Sequence, residues 1–174
     1  MSSSFLKSSN RGDPIKARTI TYIAMFGALG AALGWISIPV GPTKIFPLQH
    51  TINAIAGVLI GPWSVVSAFI AATARFSTGM GTLYAFPGSP FGALVVAVVY
   101  KMTKKDFSAL FEPVGTVCLG ATMSGLLIAP HVSADAPTLW FFWTAFAASC
   151  IPGAVIGYVM LKVLRRSNVE VYRS

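Results

Sequence analysis

Residues 45–74, "IFPLQHTINAIAGVLIGPWSVVSAFIAATA", contain no Asp, Glu, Lys or Arg. Roughly 20 apolar residues are enough for one helix to cross about 30 Å of hydrocarbon. Gly61 and Pro62 lie in the middle of the stretch, and proline removes a backbone donor and ends or kinks a helix. The stretch therefore predicts two helices joined by a tight turn rather than one long span.

Uncharged stretches also precede and follow this one, and each is long enough to cross a bilayer. The composition agrees, since 55% of the residues are hydrophobic and only 10% are charged, which is unlike a soluble domain. Together with the split at Gly61, this pattern predicts an all-α integral membrane protein with six transmembrane helices in a single membrane domain, residues 1–174. The four further stretches are residues 19–43, 76–100, 113–134 and 136–161.

Two loop sequences help to set the helix limits. Three prolines and a glycine between residues 37 and 47 favour a stiff outer loop without regular helix. Ser89 followed by Pro90 is typical of a helix start, with a hydroxyl at the N-cap and proline at the first helical position. The six predicted helices cover residues 17–38, 48–60, 63–78, 89–100, 108–129 and 138–164.

Positive charge gathers before the first predicted helix, after the fourth and around the end of the sixth. Six spans put all three clusters on one side, and the positive-inside rule makes that side, with both termini, cytoplasmic. We therefore expect a polar cytoplasmic segment at 1–16 that lacks the core of a signal peptide, a bundle at 17–164 and a basic tail at 165–174. Topology accounts for the net charge of +8, so no nucleic-acid partner is expected. The clusters are Lys7, Arg11, Lys16 and Arg18; Lys101, Lys104 and Lys105; and Lys162, Arg165, Arg166 and Arg173.

The first helix carries a stripe of alanines at every fourth residue, Ala24, Ala28 and Ala32. Small residues at this spacing let another helix approach closely. Two interpretations stay open on spacing alone: packing within the bundle, or a docking face for a second protein.

Polar and aromatic side chains gather at the predicted outer ends of the helices. Such groups would be costly against lipid, so we expect them to face inward or water. Aromatic, amide and imidazole groups at one depth are typical of a pocket for a small planar molecule. Singly, His50 could be a core histidine, Arg75 could reach lipid headgroups, and the tryptophans could form an interfacial belt. The candidate substrate-binding residues are Gln49, His50, Asn53, Tyr84, His131, Trp140, Trp143, Trp35 and Arg75.

No catalytic motif accompanies these residues: there is no nucleophile elbow, HExxH motif, carboxylate pair or phosphate loop. His131 and Asp135 could combine with His50 at a catalytic or metal site, but Pro130 and Pro137 bracket that pair. We expect Asp135 to be the only acidic residue near the site, and no catalytic residue, metal or cofactor. A stand-alone secondary transporter is a closer alternative, although such proteins usually bury ionisable groups at the midplane, where these spans lack charge.

Two stretches, "PLQHTINAIAGVLIGPW" (47–63) and "GTLYAFPGSPFGAL" (81–94), resemble the substrate-binding S components of energy-coupling factor (ECF) vitamin transporters. The closest resemblance is to the ThiW type, assigned to hydroxyethylthiazole, the thiazole precursor of thiamine. It implies a plasma-membrane protein with an outward-facing pocket roofed by the first loop and lined by the outer ends of helices 4 to 6. It also implies a separate transmembrane coupling protein and two ATPase subunits, with the alanine stripe of helix 1 as docking surface. This chain would then hydrolyse nothing.

The resemblance also implies which residues hold the ligand. Aromatics and a histidine at the positions of Tyr84, His131, Trp140 and Trp143 would grip it, with the ring stacked on one of the tryptophans. Polar groups of the second helix, or His131, would serve the ring nitrogen and the hydroxyl. The third loop has no carboxylate for a cationic ring, which fits a neutral thiazole better than thiamine, while Asp135 keeps thiamine possible. Hydroxymethylpyrimidine remains a third candidate.

Overall fold

Six helices make up most of residues 14–167, the part of the chain that the computed structural model describes, with side chains from residue 17. Most of the predicted N-terminal segment and tail, with Lys7, Arg11 and Arg173, lies outside the described residues. The all-α prediction is confirmed, apart from one small hairpin. The helices are α1, Pro14–Ala32; α2, Pro47–Leu59; α3, Ser64–Ser77; α4, Ala85–Thr103; α5, Asp106–Val132; and α6, Leu139–Arg166.

Four of these helices are long and apolar enough to cross a membrane: α1 with its extension to Trp35, α4, α5 and α6. α2 has 13 residues and α3 has 14, so each is only about 20 Å long at 1.5 Å per residue. That is shorter than the hydrocarbon core. The turn predicted at Gly61 and Pro62 does separate them, as a 3-10 turn over Gly61–Trp63. Six helices are present among the described residues, whereas the length criterion supports four spans.

The prediction that Ser89 starts the fourth helix is wrong. α4 begins at Ala85, one turn earlier, and Pro90 lies inside it. The turn Thr82–Ala85, closed by the amide of Ala85 donating to the carbonyl of Thr82 at 3.1 Å, already starts the helix. A proline at the sixth position costs one backbone hydrogen bond there, because the first four amides of a helix have no intrahelical acceptor. The Ser89 hydroxyl instead accepts a hydrogen bond from Gln49.

The predicted first loop forms an antiparallel hairpin of β1, Ile38–Val40, and β2, Thr43–Ile45. Gly41 and Pro42 connect the strands, and Gly41 has a φ of +54°, which glycine adopts without strain. A Cβ at Gly41 would touch the ring of Phe141 on α6. The hairpin therefore reaches across to the start of α6.

α2 lies at the centre of the bundle and packs against α6, α4 and α1. Ten consecutive residues, from Gln49 to Val58, are buried. Gly153 and Gly157 let α6 approach closely, since a Cβ at Gly153 would collide with the backbone of Pro47 and the side chain of His50. Because every side of α2 is enclosed by protein, its polar residues do not face lipid.

α5 is continuous but irregular. It runs from a 3-10 segment, Asp106–Phe111, through two π segments, Val114–Ala121 and Ser124–Ile128, to a last α-helical turn, Ala129–Val132. Gly115 and Gly120 bring it against α4, where added Cβ atoms would collide with backbone. π segments are often found at functional positions, and the first of them begins two residues after Glu112.

Two of the basic clusters meet at one end of the bundle. Arg165 near the end of α6 donates from Nε to Asp106 Oδ1 at 2.7 Å, and its Nη2 donates to the Tyr100 hydroxyl at 3.2 Å. The end of α4, the start of α5 and the end of α6 therefore lie side by side.

Candidate functional site

A cavity lies where the hairpin meets α2, α3, α4 and α6. Its empty space is about 360 Å³, including the part open to solvent. It is a mixed cavity, with aromatic, hydroxyl and cationic side chains but no Asp or Glu. The lining residues are Thr43, Lys44, Phe46, His50, Arg75, Thr82, Ala85, Ser89, Ala145, Phe146 and Ser149.

The cavity lies deeper in the bundle than the helix ends on the hairpin side. The amide of Phe46, just before α2, donates to the Ser149 hydroxyl at 2.8 Å. Ser149 is ten residues into α6, or about 15 Å from its start at 1.5 Å per residue. Since α2 is short and begins at this depth, the polar residues of its first turns lie within the bundle rather than at its rim.

Arg75 forms part of the wall. Its side chain is 1% exposed, its Nε donates to the carbonyl of Ala71 at 3.2 Å, and its guanidinium lies 4.7 Å from the centre of the Phe46 ring. Gly34 on α1 makes room for it, because a Cβ there would collide with Arg75 Cδ. The interpretation that Arg75 reaches lipid headgroups does not agree with this burial.

Glu112 of α5 forms a hydrogen bond with the ring of His50. The distance from His50 Nδ1 to Glu112 Oε1 is 2.7 Å, and the Thr116 hydroxyl donates to the same oxygen at 2.8 Å. Because Oε1 accepts from Thr116, the simplest assignment has His50 Nδ1 donate to it as well, which leaves Nε2 for the cavity. A Cβ at Gly92 would collide with Glu112 Oε1 and Thr116 Oγ1, so glycine is needed at that position on α4.

Glu112 contradicts the expectation that Asp135 is the only acidic residue near the site. It is 0% exposed and paired with a cavity-lining histidine, whereas Asp135 is exposed. In the sequence Glu112 stands just outside the uncharged stretch 113–134, and only its contact with α2 distinguishes it from a residue at a helix end.

The two amide side chains of α2 lie behind the cavity. Gln49 Nε2 donates to the Ser89 hydroxyl at 3.1 Å, and Asn53 Nδ2 donates to the backbone carbonyl of Ser89 at 3.3 Å. Both side chains are buried, and neither lines the cavity. They fix the position of Ser89, which does line it.

A family model for the thiamine-precursor transporter protein (ThiW) matches residues 20–167. The chain belongs to the ThiW family. A search of curated proteins found no significant match. Membership makes this chain a membrane transport protein of the thiamine-precursor class rather than an enzyme, and it confirms the family suggested by the two quoted stretches.

The remaining candidate residues of this ThiW-family protein do not line the cavity. Trp35 and Trp140 are 75% and 69% exposed, and His131, whose Nδ1 lies 2.9 Å from the Leu127 carbonyl, is exposed at the end of α5. Trp143 donates to the Thr122 hydroxyl at 3.0 Å. Tyr84 is buried, but it packs on Phe142 with ring centres 4.9 Å apart and does not line the cavity. The rings of the cavity are Phe46 and Phe146, which apolar patterning does not distinguish from lipid-facing phenylalanines.

The described part of the ThiW-family chain contains no group of three or more His, Cys, Asp or Glu side chains that could hold a metal ion. His50 and His131, the two possible imidazole ligands, lie in different surroundings: one is buried beside Glu112 and the other is exposed.

Proposed function

We propose that this chain is the substrate-binding membrane subunit for uptake of hydroxyethylthiazole, and that the cavity under the hairpin is its substrate site. The observation that carries the proposal is the lining of that cavity: two phenylalanine rings face hydroxyl groups, an imidazole and a guanidinium. A small heteroaromatic alcohol needs both an apolar wall for its ring and polar partners for its nitrogen and hydroxyl.

The ligand's size sets an upper limit on its affinity. Hydroxyethylthiazole has about nine heavy atoms. A small ligand gains at most about 1.5 kcal/mol of binding free energy per heavy atom, so the ceiling is near 13 kcal/mol, or roughly nanomolar affinity. Tight capture therefore requires contact with nearly every atom. In this proposal the ring lies against Phe46 or Phe146 in place of Trp140 or Trp143. His50 Nε2 and the hydroxyls of Ser89 and Ser149 serve its polar atoms.

The proposed orientation has both termini in the cytoplasm and the hairpin facing outside at the plasma membrane. α2 and α3 together return the chain to the side of the membrane from which α2 began, whether both cross the membrane or both enter it and return. α1 and α6 then begin and end on the same side in either case. The basic ends of α4 and α6 lie together, since Arg165 contacts both Asp106 and Tyr100. This concentration of positive charge supports a cytoplasmic assignment for that end of the bundle.

The energy for uptake comes, in this proposal, from an ECF coupling protein and two ATPase subunits on separate chains. The sequence has no phosphate-binding loop of its own. Ala24, Ala28 and Ala32 are exposed, while Gly27, Gly30 and Gly34 form the face of α1 that packs on α3. A smooth stripe that takes no part in the bundle supports the docking interpretation over internal packing.

The buried pair of His50 and Glu112 favours one second candidate, a proton-coupled transporter that works alone. Ionisable residues buried within a membrane bundle often belong to proton pathways. A transport assay in liposomes that contain only this chain distinguishes the two candidate functions. Accumulation of labelled hydroxyethylthiazole driven by an imposed pH gradient would support the stand-alone transporter. Accumulation only with the ATPase module and ATP would support the binding subunit.

The first test is isothermal titration calorimetry of the detergent-purified chain with hydroxyethylthiazole, thiamine and hydroxymethylpyrimidine. We expect saturable, submicromolar binding of the thiazole and weaker binding of the other two. Calorimetry is preferable to tryptophan fluorescence because no tryptophan lines the cavity. A folded protein that binds none of the three would contradict the proposal, and tighter binding of thiamine would reassign the substrate.

A further inference from the structure

The cavity wall contains a buried guanidinium that has no carboxylate partner among the residues described. Of the two ion pairs among the described residues, His50 with Glu112 and Arg165 with Asp106, neither involves Arg75. Its Nη2 is buried without a hydrogen-bond acceptor in that part of the chain. An uncompensated buried charge is strongly unfavourable. Its position on the cavity wall makes a bound ligand the natural source of the missing acceptor.

Other cavity residues add to the excess of donors. Lys44 lines the cavity and donates from Nζ to the Met80 carbonyl at 2.9 Å, a neutral partner. The hydroxyl of Ser149 accepts from the amide of Phe46, and that of Ser89 accepts from Gln49, so each keeps its own hydrogen to donate. Glu112 is directed to His50 and does not line the cavity. The lining therefore offers two cations and several donors, and no carboxylate.

We propose that the cavity prefers a thiazole bearing an anionic oxygen group, a phosphate monoester or a carboxylate, over both the neutral alcohol and cationic thiamine. The inference rests on the proposed function, because it takes the cavity as the substrate site. A guanidinium matches either anion with two parallel hydrogen bonds. The thiazolium ring of thiamine would instead meet Arg75 and Lys44 in a low-dielectric site, where repulsion between like charges is strong.

The test compares four ligands on the full-length wild-type protein by calorimetry: hydroxyethylthiazole, its phosphate monoester, 4-methylthiazole-5-carboxylate and thiamine. We expect at least one anion to bind about tenfold or more tightly than the alcohol. The stronger of the two anions identifies the group. An alcohol that binds as tightly as both anions overturns the inference and leaves the proposed function intact. Absence of binding by all four overturns both.

Variants of Arg75 test whether this side chain causes the preference. In Arg75→Gln the affinity for the anion should fall about tenfold more than the affinity for the alcohol, whereas Arg75→Lys should keep part of the preference. Arg18→Gln, at an exposed position of α1, is the matched control and should change neither value. Equal losses for both ligands in Arg75→Gln, with the fold intact by thermal unfolding, would assign Arg75 a structural role and overturn the inference. If Arg75→Gln does not fold, the wild-type ligand series and Arg75→Lys decide the question.

Discussion

His50 of α2 and Glu112 of α5, which are 62 positions apart in the chain, share a hydrogen bond of 2.7 Å inside the bundle. The carboxylate oxygen also accepts from Thr116, and both side chains are almost wholly buried. A histidine held at Nδ1 has a fixed ring orientation and presents Nε2 in a defined direction. The pair therefore connects the packing of two helices with the chemistry of the cavity.

Removing the carboxylate should weaken both the fold and ligand binding. Loss of one partner of a buried pair costs on the order of 3–5 kcal/mol, so Glu112→Ala should lower the thermal unfolding temperature clearly. Glu112→Gln keeps a hydrogen-bond acceptor for His50 and should be milder in stability, yet reduce hydroxyethylthiazole affinity several-fold. Calorimetry and thermal unfolding measure the two effects. Wild-type affinity in a folded Glu112→Ala protein would show that the pair does not position His50 for the ligand.

Neighbouring polar residues of α2 should differ in their effect on binding. His50→Ala removes a cavity contact and should lower affinity for hydroxyethylthiazole by about tenfold or more, equivalent to roughly 1.4 kcal/mol. Asn53→Ala removes a hydrogen bond to the Ser89 backbone behind the cavity and should stay within about threefold. Equal effects of the two substitutions in calorimetry would contradict a direct contact between His50 and the ligand.

Aromatic substitutions separate the sequence-based site from the cavity. Phe146→Ala should lower thiazole affinity by about tenfold or more, because the ring forms part of the cavity wall. Trp140→Ala, at a 69% exposed position, should stay within about twofold. The reverse order in calorimetry would restore the prediction that the ligand stacks on a tryptophan.

Gly92→Ala should destabilise the protein, because the new Cβ would collide with Glu112 Oε1 and Thr116 Oγ1. Overpacking a tight interior typically costs about 1–3 kcal/mol. Val98→Ala on the same helix, at a 49% exposed position, is the control and should have little effect. Thermal unfolding in detergent measures both; equal stability of Gly92→Ala and wild type would mean that α5 can move away from α4.

Ala28→Trp should abolish association with an ECF coupling protein while leaving thiazole affinity unchanged. The side chain is exposed on the alanine stripe, and a bulky ring there would keep a partner helix from close approach. Ala148→Trp places the same ring at an exposed position of α6 and should leave association intact. Co-purification with a coupling protein measures this. Normal association of Ala28→Trp would exclude the stripe as the docking surface.

The sequence predicted which residue types belong to the site, but it did not predict where each side chain lies relative to the cavity. Gln49, His50, Asn53 and Arg75 stand out in an apolar sequence because burying them requires partners, and the structure does bury all four. Trp35, Trp140, Trp143 and His131 stand out equally, yet they lie at the surface. A sequence pattern indicates that a residue is unusual among its neighbours, but it does not show which face of the helix packs inside the bundle.

The sequence by itself determined that this is a helical membrane protein, where the chain turns at Gly61 and Pro62, and to which family it belongs. The first two features depend on local composition and on the placement of glycine and proline, and the family on the resemblance of two short stretches, all of which can be read along one chain segment. Only the tertiary structure decided that α2 lies deep in the bundle, that Glu112 meets His50, and that Phe46 and Phe146 replace the tryptophans as cavity rings. Such contacts depend on the relative depth and rotation of helices far apart in sequence, and those are fixed by packing at positions such as Gly92 and Gly153.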